Sequence, residues 1–253
     1  MKELLIKNLN AADESGRLDA LRELMSLYET GVLDAPVTGI NVNNHIHTTF
    51  SFSPYSPAKA VFMSWLSGLA TTGIMDHDSV AGAGEFISAG KIAGMPVTVG
   101  FELRCSMADT PFEGKRINNP DQLSVAYLAM HGIPHRSLDE AECFLAPYRE
   151  KRNIRNREMV DKLNSFLEPY GLKLDFINDV LPLSQYLYGG SVTERHILYA
   201  LAAKLTDDEM SRNFLLGIFK SQLVEKFYVD AGEELPHITD FVTLAEKTGG
   251  NCG

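Results

Sequence analysis

The spacing of apolar positions divides the chain into a helical start and a series of strands and helices. Between residues 14 and 31, apolar side chains recur at helical spacing, and Gly31 ends the pattern. The apolar side chains of this segment are Leu18, Leu21, Leu24, Met25 and Tyr28. The pattern predicts an amphipathic helix that precedes the first strand and packs outside the main fold.

A strand–helix–strand–helix–strand pattern begins at Gly39. The three strand-like runs are GINVNNHIHTTF, GIMDHDS and MPVTVGFELRC, and the helical segments between them are SPAKAVFMSWLSGLATTG and AGAGEFISAGKIAG. Ser56 and Pro57 are typical of a helix start. This alternation predicts an α/β fold with parallel strands.

The rest of the chain is predicted to be mostly helical. Residues 112–122 form a polar loop, and the strand-like run LSVAYLAMHGI follows. Residues 137–171 are strongly helical, and residues 172–190 combine Pro, Gly and short apolar pieces. Further helices are predicted in SVTERHILYALAAKL, in residues 207–229 and in ITDFVTLAEKTGG. Because no closing strand is predicted after the last helix, the domain is expected to be unfinished.

Composition places the chain among globular proteins. Its 253 residues, 45% hydrophobic and 22% charged, suffice for one large domain or one domain with an insertion. The formal net charge of −10 disfavours stable binding to duplex nucleic acid and suits a site that concentrates metal cations. The three cysteines form no CxxC pair, and we find neither a signal peptide nor a membrane-spanning run, so a cytoplasmic protein with reduced thiols is expected.

Histidines and carboxylates lie at the ends of the first three predicted strands. His45 and His47 are two residues apart, so both imidazoles face the same side of a strand. His77 stands between two aspartates after the second strand-like run, and Glu102 ends the third. Because the carboxyl ends of parallel strands open on one face, these side chains are expected to converge. Imidazole and carboxylate ligands without thiolates favour Zn, Mn or Fe, so the sequence predicts a divalent metal site.

These motifs resemble those of the PHP (polymerase and histidinol phosphatase) superfamily of metal-dependent phosphoesterases. The motifs that carry the resemblance are His45-Ile46-His47-Thr48, Met75-Asp76-His77-Asp78, Gly100-Phe101-Glu102 and Glu194-Arg195-His196-Ile197. The resemblance covers about Gly39 to Leu205 and is strongest in the first two motifs. The segment RNIRNREMVDKLN is similar to the helical insertion of that family.

The resemblance implies an α/β fold with a distorted (β/α) TIM-like barrel, complete or incomplete, and a helical insertion. It divides the chain into a helical extension over 1–38, barrel segments over 39–136 and 191–253, and the insertion over 137–190. The implied site holds two or three divalent ions (Zn, Mn or Fe). Its implied metal ligands are His45, His47, His77, Glu102, His131 and His196.

The implied reaction is hydrolysis of a phosphate ester, either a phosphomonoester or a terminal phosphodiester, by a metal-activated water. The implied substrate is a small phosphorylated metabolite or nucleotide. Asp76 would support or bridge the metal ions, and Arg104 and Arg195 would neutralise the phosphate oxygens. Lys115 and Arg116 are further candidates for that role.

The chain departs from the family pattern at three places. Phe52 stands in Ser-Phe-Ser, where many members have Ser-Asp-Gly with a ligand Asp. Either Tyr127 or His131 occupies the position of the His in the third family motif. After His196, no late Asp-x-His pair follows. The chain is therefore either a truncated product or a variant that lacks the corresponding metal.

Two other functions remain open. An amidohydrolase-type metal hydrolase also carries His-x-His on its first barrel strand, although it usually adds a carboxylated Lys and late His or Asp ligands. A degenerate module that binds metal or ligand, or scaffolds a partner, agrees with the missing aspartate and the missing late pair. The sequence leaves the oligomeric state open.

A basic cluster lies in the predicted long helix, in the segment KRNIRNRE. Its members are Lys151, Arg152, Arg155 and Arg157. Because Glu150 and Glu158 lie among them and can pair with basic side chains on a helix, the cluster is predicted to be a solvated helix face. Recognition of a phosphate or nucleotide is the alternative.

Overall fold

A computed structural model describes residues 1–119, 122–222 and 234–252 as one five-stranded sheet with surrounding helices. The strands are β1 (Val42–Ile46), β2 (Thr71–His77), β3 (Val97–Ser106), β4 (Val125–His131) and β5 (Asn251–Cys252). The α-helices in these ranges are α1 (Lys2–Asn8), α2 (Glu14–Glu29), α3 (Pro57–Leu66), α4 (Ala83–Ala93), α5 (Leu138–Leu167), α6 (Glu194–Leu205), α7 (Glu209–Gln222) and α8 (Ile238–Thr248). Short 3₁₀ or π turns lie at His135–Ser137, Glu168–Tyr170, Phe176–Val180, Leu181–Leu183 and Tyr186–Tyr188. No helix in the described ranges is long and apolar enough to cross a membrane.

The first three strands are parallel, as the sequence predicts. Helices α3 and α4 make the two crossovers, and the register sets His77 beside Glu102. Strand β4 runs antiparallel to β3, and β5 runs antiparallel to β4, so the sheet is mixed rather than wholly parallel. Over the described residues the order β1-β2-β3-β4-β5 is linear. Closure into a TIM-like barrel therefore stays a prediction.

The N-terminal helices share a hydrophobic core with the crossover helices. The predicted helix over 14–31 is present as α2, and Asp13 caps it by accepting a hydrogen bond from the Gly16 N–H. Leu21 and Leu24 of α2 are fully buried in the same cluster as Phe62 of α3 and Phe86 of α4. The expectation that this helix packs outside the main fold is wrong, because its apolar face is covered by α3 and α4.

The structure bears on two expectations about the last part of the chain, a helix over 207–229 and the absence of a strand after the last helix. The helix predicted over 207–229 is described as α7, and residues 223–229 lie outside the described ranges. A strand does follow the last helix, because Met130 pairs with Cys252 and His131 with Asn251. The expectation of no strand after this helix is therefore wrong.

Helix α5 carries buried polar side chains where a solvated face was predicted. Arg152 is only 3% exposed and Arg155 only 1%, whereas Arg157 is exposed. The prediction is wrong for the first two, because they are in helical phase with the buried side chains of Leu145 and Met159. One side of α5 therefore faces the protein along most of its length and brings the side chains of three arginines inside, Arg149, Arg152 and Arg155.

Candidate metal centre

Three histidines surround one carboxylate oxygen near the carboxyl ends of β1 and β2. Nε2 of His45, Nε2 of His47 and Nδ1 of His77 lie 3.3, 3.7 and 3.6 Å from Oε2 of Glu102. The ligand atoms of His45, His47 and Glu102 all lie within 4.8 Å of one another. The rings of His47 and His77 are stacked, with their centroids 4.6 Å apart. The parallel register thus brings together the three motifs that the sequence singled out.

The chemistry of this donor set fits a divalent cation. Burial lowers the pKa of His77 to about 3, with a further contribution from the positive charge of Arg152. Burial likewise lowers the pKa of His47. Both imidazoles are therefore neutral at pH 7, which is the form that binds metals. Nδ1 of His77 is buried without a hydrogen-bond partner in the part of the chain that is described, and Glu102 adds a carboxylate. A nitrogen and oxygen set of this kind suits Zn, Mn or Fe.

Asp76 holds the loop that follows the first histidine motif. Its Oδ1 accepts hydrogen bonds from the Thr48 N–H and the Ser51 hydroxyl, each at 2.6 Å, and its Oδ2 accepts one from the Thr48 hydroxyl at 2.5 Å. Burial raises the pKa of Asp76, and these hydrogen bonds oppose the rise. Asp76 therefore fixes the backbone immediately after His47, and its role in supporting or bridging metal ions stays a prediction.

Both alternatives for the third motif border the cluster. Tyr127 and His131 lie four residues apart on β4, so they project from the same face of the sheet. The Tyr127 ring lies 5.9 Å from that of His77, and the His131 ring lies 6.2 Å from that of His45. Burial raises the pKa of Tyr127 and lowers that of His131. Each lies beside a different histidine, and which of the two occupies the position of the His in the third family motif stays a prediction.

His196 lies at the start of α6. Its Nδ1 accepts a hydrogen bond from the Thr193 N–H at 2.9 Å, and its ring stands edge-on to Phe52 with centroids 4.9 Å apart. Burial lowers the pKa of His196 to about 4. Among the described residues, His196 is not part of the group of ligand atoms around Glu102. Its role as a ligand stays a prediction.

A cationic cavity opens beside the histidines. It has a volume of about 230 Å³. Its lining residues are His47, Phe52, His77, Tyr127, Arg152, Thr193, Glu194 and Arg195. Arg104 is buried at the register position opposite Tyr127, on the same face of β3 as Glu102. Of the four basic candidates, Arg195 lines the cavity and Arg104 lies near it, whereas Lys115 and Arg116 are exposed in the loop after β3.

Buried ion pairs connect α5 to the cavity. Arg152 pairs with Asp78 and lies 3.5 Å from Glu194, and Arg155 donates to Glu194 at 2.7 Å. Burial alone would raise the pKa of Glu194, but Arg152, Arg155 and Arg104 bring it well below its usual value. The carboxylate is therefore charged, and the network joins the loop after His77 to the start of α6.

Sequence reasoning gave phosphate recognition by Arg152 only as the alternative to a solvated face, and it assigned no role in the site to Glu194. The available signal was helical phase, because Arg152 lies seven residues, about two turns, after Leu145 and seven before Met159. Long basic side chains in such a position must either reach solvent or pair with buried acids. Because many charged residues surround Arg152, the segment as a whole favoured the prediction of a solvated helix face over the helical phase of this one residue.

The metal-free protein is expected to lose stability as the pH falls from 6.5 towards 4. The pKa values of folded His77 and His196 are about 3 and about 4, whereas unfolded histidines titrate near 6.5. In this window the unfolded chain binds more protons, so the free energy of unfolding falls by up to about 1.4 kcal/mol per pH unit for each residue. Urea unfolding in a chelator at several pH values measures the slope.

His77→Gln should reduce that slope, and the matched change of the exposed His135, His135→Gln, should leave it unchanged. A slope that is the same in the unmodified protein and in His77→Gln would contradict the assignment of a buried neutral imidazole to this position.

Comparisons with known proteins give a fold but no family. No family model matches the sequence, and no curated protein matches it. Among solved structures, a Bifidobacterium adolescentis protein described by inference as a metal-dependent phosphoesterase has a TM-score of 0.62 at 21% identity. The match covers 87% of this chain and 67% of that one.

A second similar structure is an amidohydrolase from Chromobacterium violaceum that contains sulfate and no metal. Its TM-score is 0.62 at 18% identity, and the match covers 84% of this chain and 65% of that one. The chain thus spans about two thirds of the length of each structure. It has the fold of these proteins, which are described as hydrolases.

Proposed function

We propose that this chain is a metal-dependent phosphoesterase of the PHP type that acts on small phosphorylated molecules. The observation that carries the proposal is the cavity in which Arg152 and Arg195 face His47 and His77. Neutral imidazoles and a carboxylate suit divalent cations, whereas guanidinium groups suit the oxygens of a phosphate. The fold similarity to a protein described as a metal-dependent phosphoesterase supports the same reaction class.

His45, His47, His77 and Glu102 would hold the cations, with His131 at the border of the cluster. Bound divalent cations would supply Lewis-acid activation of a water and of the phosphate. We propose two or three ions of Zn, Mn or Fe, as the resemblance to the PHP superfamily implies. The ligand side chains are 18% to 43% exposed, so ions and substrate can reach them from solvent.

The cationic side chains would bind and orient the phosphate. Arg195 is held over the Phe52 ring at 5.9 Å, and Arg152 is fixed by Asp78 and Glu194. Preorganised donors of this kind stabilise the charge that develops on the equatorial oxygens. Burial raises the pKa of Tyr127, so its hydroxyl keeps its proton and can donate a hydrogen bond.

An amidohydrolase-type reaction is the second candidate. The similarity to the Chromobacterium violaceum amidohydrolase favours it. Two arginines and one carboxylate, Glu194, line the cavity, so its positive charge is in excess and favours an anionic substrate over a neutral amide. We therefore place the phosphoesterase first.

The proposal predicts metal retention and metal-stimulated phosphatase activity. Protein purified without added metal should contain at least two equivalents of Zn, Mn or Fe by mass spectrometry. It should hydrolyse p-nitrophenyl phosphate faster after addition of Mn²⁺ and lose this activity after chelation. Metal without phosphatase activity, together with hydrolysis of amides or lactams, would favour the second candidate. Neither metal nor turnover would leave a non-catalytic module.

A further inference from the structure

Phe52 borders three cavities around the candidate centre. The cavity of about 230 Å³ contains His77, a second of about 560 Å³ reaches Met63 of α3, and a third of about 640 Å³ reaches Tyr199 of α6. Phe52 lines all three, and His47 and Arg195 also line the first two. Phe52 therefore stands between the space beside the histidines and the larger spaces next to it.

The ring of Phe52 lies close to three other side chains. The His196 ring meets it edge-on at 4.9 Å, and the Tyr199 ring lies 6.4 Å away. The guanidinium group of Arg195 lies over it at 5.9 Å. Edge-on aromatic and cation–π contacts of this kind favour one ring orientation. A ring that is held in one orientation can exclude large substrate groups from the cavity, whereas a mobile side chain would move aside for them.

The loop that carries Phe52 is attached to the sheet and to the start of α6. Asp76 of β2 accepts hydrogen bonds from Thr48 and Ser51, as described above. The Phe50 carbonyl accepts a hydrogen bond from the Ser191 N–H at 2.7 Å. The residues on the N-terminal side of Phe52 are therefore held both by Asp76 of β2 and by Ser191, just before α6.

The segment between α1 and α2 holds the other side of the loop. The Asn10 side chain donates to the Pro54 carbonyl at 2.7 Å and accepts from the Ser56 N–H at 3.0 Å. The Ser56 hydroxyl donates to the carbonyl of Leu9. Leu9 and Asn10 lie before the first strand and yet contribute to the surroundings of the site. Their hydrogen bonds fix the backbone at Pro54, two residues after Phe52.

We propose that Phe52 is a specificity-determining residue that limits the size of the group esterified to the phosphate, an inference that rests on the proposed function. A cavity of about 230 Å³ is smaller than the roughly 300–1,000 Å³ of sites for drug-sized ligands, whereas the two neighbouring cavities fall within that range. The space beside His77 therefore suits a phosphate with a small leaving group. Removal of the ring would remove one of the side chains that border both this space and the larger ones.

Substrate pairs of different size test the proposal with the full chain loaded with Mn²⁺. The small ester is glycerol 3-phosphate, and the large one is 1-naphthyl phosphate. Methylphosphonate and 1-naphthylmethylphosphonate are the corresponding small and large non-hydrolysable ligands, whose binding is measured by calorimetry. The measured quantity is the ratio of kcat/KM for the large ester to that for the small one. Phe52→Ala should raise this ratio by about tenfold or more, and Phe52→Leu should raise it less. The intrinsic reactivities of the two esters cancel when variant and unmodified protein are compared.

Phe166→Ala is the matched control, because Phe166 is an exposed phenylalanine near the end of α5 that lines none of the three cavities. An unchanged ratio in Phe52→Ala, or an equal loss for both esters, would overturn the proposal. So would unmodified protein that binds both phosphonates equally well, a measurement that does not depend on the folding of any variant. Absence of turnover and of phosphonate binding in the unmodified protein would instead reject the proposed function.

Discussion

Replacement of Glu102 by glutamine should abolish stable metal binding and reduce phosphatase activity by more than about a hundredfold. Residues that merely orient metal ligands already contribute 10–100-fold to affinity or activity, and Glu102 lies within 3.3–3.7 Å of three imidazole nitrogens. The substitution keeps the shape of the side chain and removes its charge. Mass spectrometry of metal content, together with turnover of p-nitrophenyl phosphate, measures the effect.

The matched control is Glu23→Gln, which removes the charge of an exposed carboxylate on α2. It should retain the metal content and the activity of the unmodified protein. Full metal content in Glu102→Gln would show that the three histidines hold the cations without this carboxylate. In that case the assignment of Glu102 as a ligand would be wrong.

Replacement of Arg152 by leucine should destabilise the protein by about 3–5 kcal/mol. The Arg152 side chain is 4% exposed, and its loss leaves the buried carboxylate of Asp78 and the partly buried carboxylate of Glu194 without one of their partners. A buried charge that loses its counter-ion costs several kcal/mol, because it cannot recover the hydration it gave up on folding. Urea unfolding of the metal-free protein at pH 7 measures the change.

Arg157→Leu is the control on the same helix, because Arg157 is exposed and lies 5.1 Å from the Phe176 ring. Its loss should cost less than about 1 kcal/mol. Equal effects of the two substitutions would mean that Arg152 is hydrated in solution. The buried network would then contribute nothing to the connection between α5 and the loop after His77.

The sequence predicted the candidate centre better than its surroundings. The three metal-ligand motifs lie at successive strands, and parallel pairing of adjacent strands necessarily brings their carboxyl ends together. The convergence of His45, His47, His77 and Glu102 therefore followed from short motifs and from strand order alone.

The surroundings of the candidate metal centre depend on contacts between segments that are distant in sequence. Arg152 pairs with a residue 74 positions away, and Asn10 contacts a loop 44 positions away. Neither pairing has a local signal, because a charged or polar residue on a helix has the same pattern whether it meets solvent or a buried partner. The assignment of the basic cluster to a solvated face failed for this reason.

The sequence by itself determined the parallel start of the sheet and the donor atoms available at its strand ends. Local periodicity and residue chemistry suffice for both, since they depend only on neighbours along the chain. Only the tertiary structure decided that β4 runs antiparallel to β3, that α5 sends three arginines inward, and that Phe52 lines three neighbouring cavities. Those features arise because burial and charge pairing join remote segments, and the free energy of such contacts is not encoded at any single position.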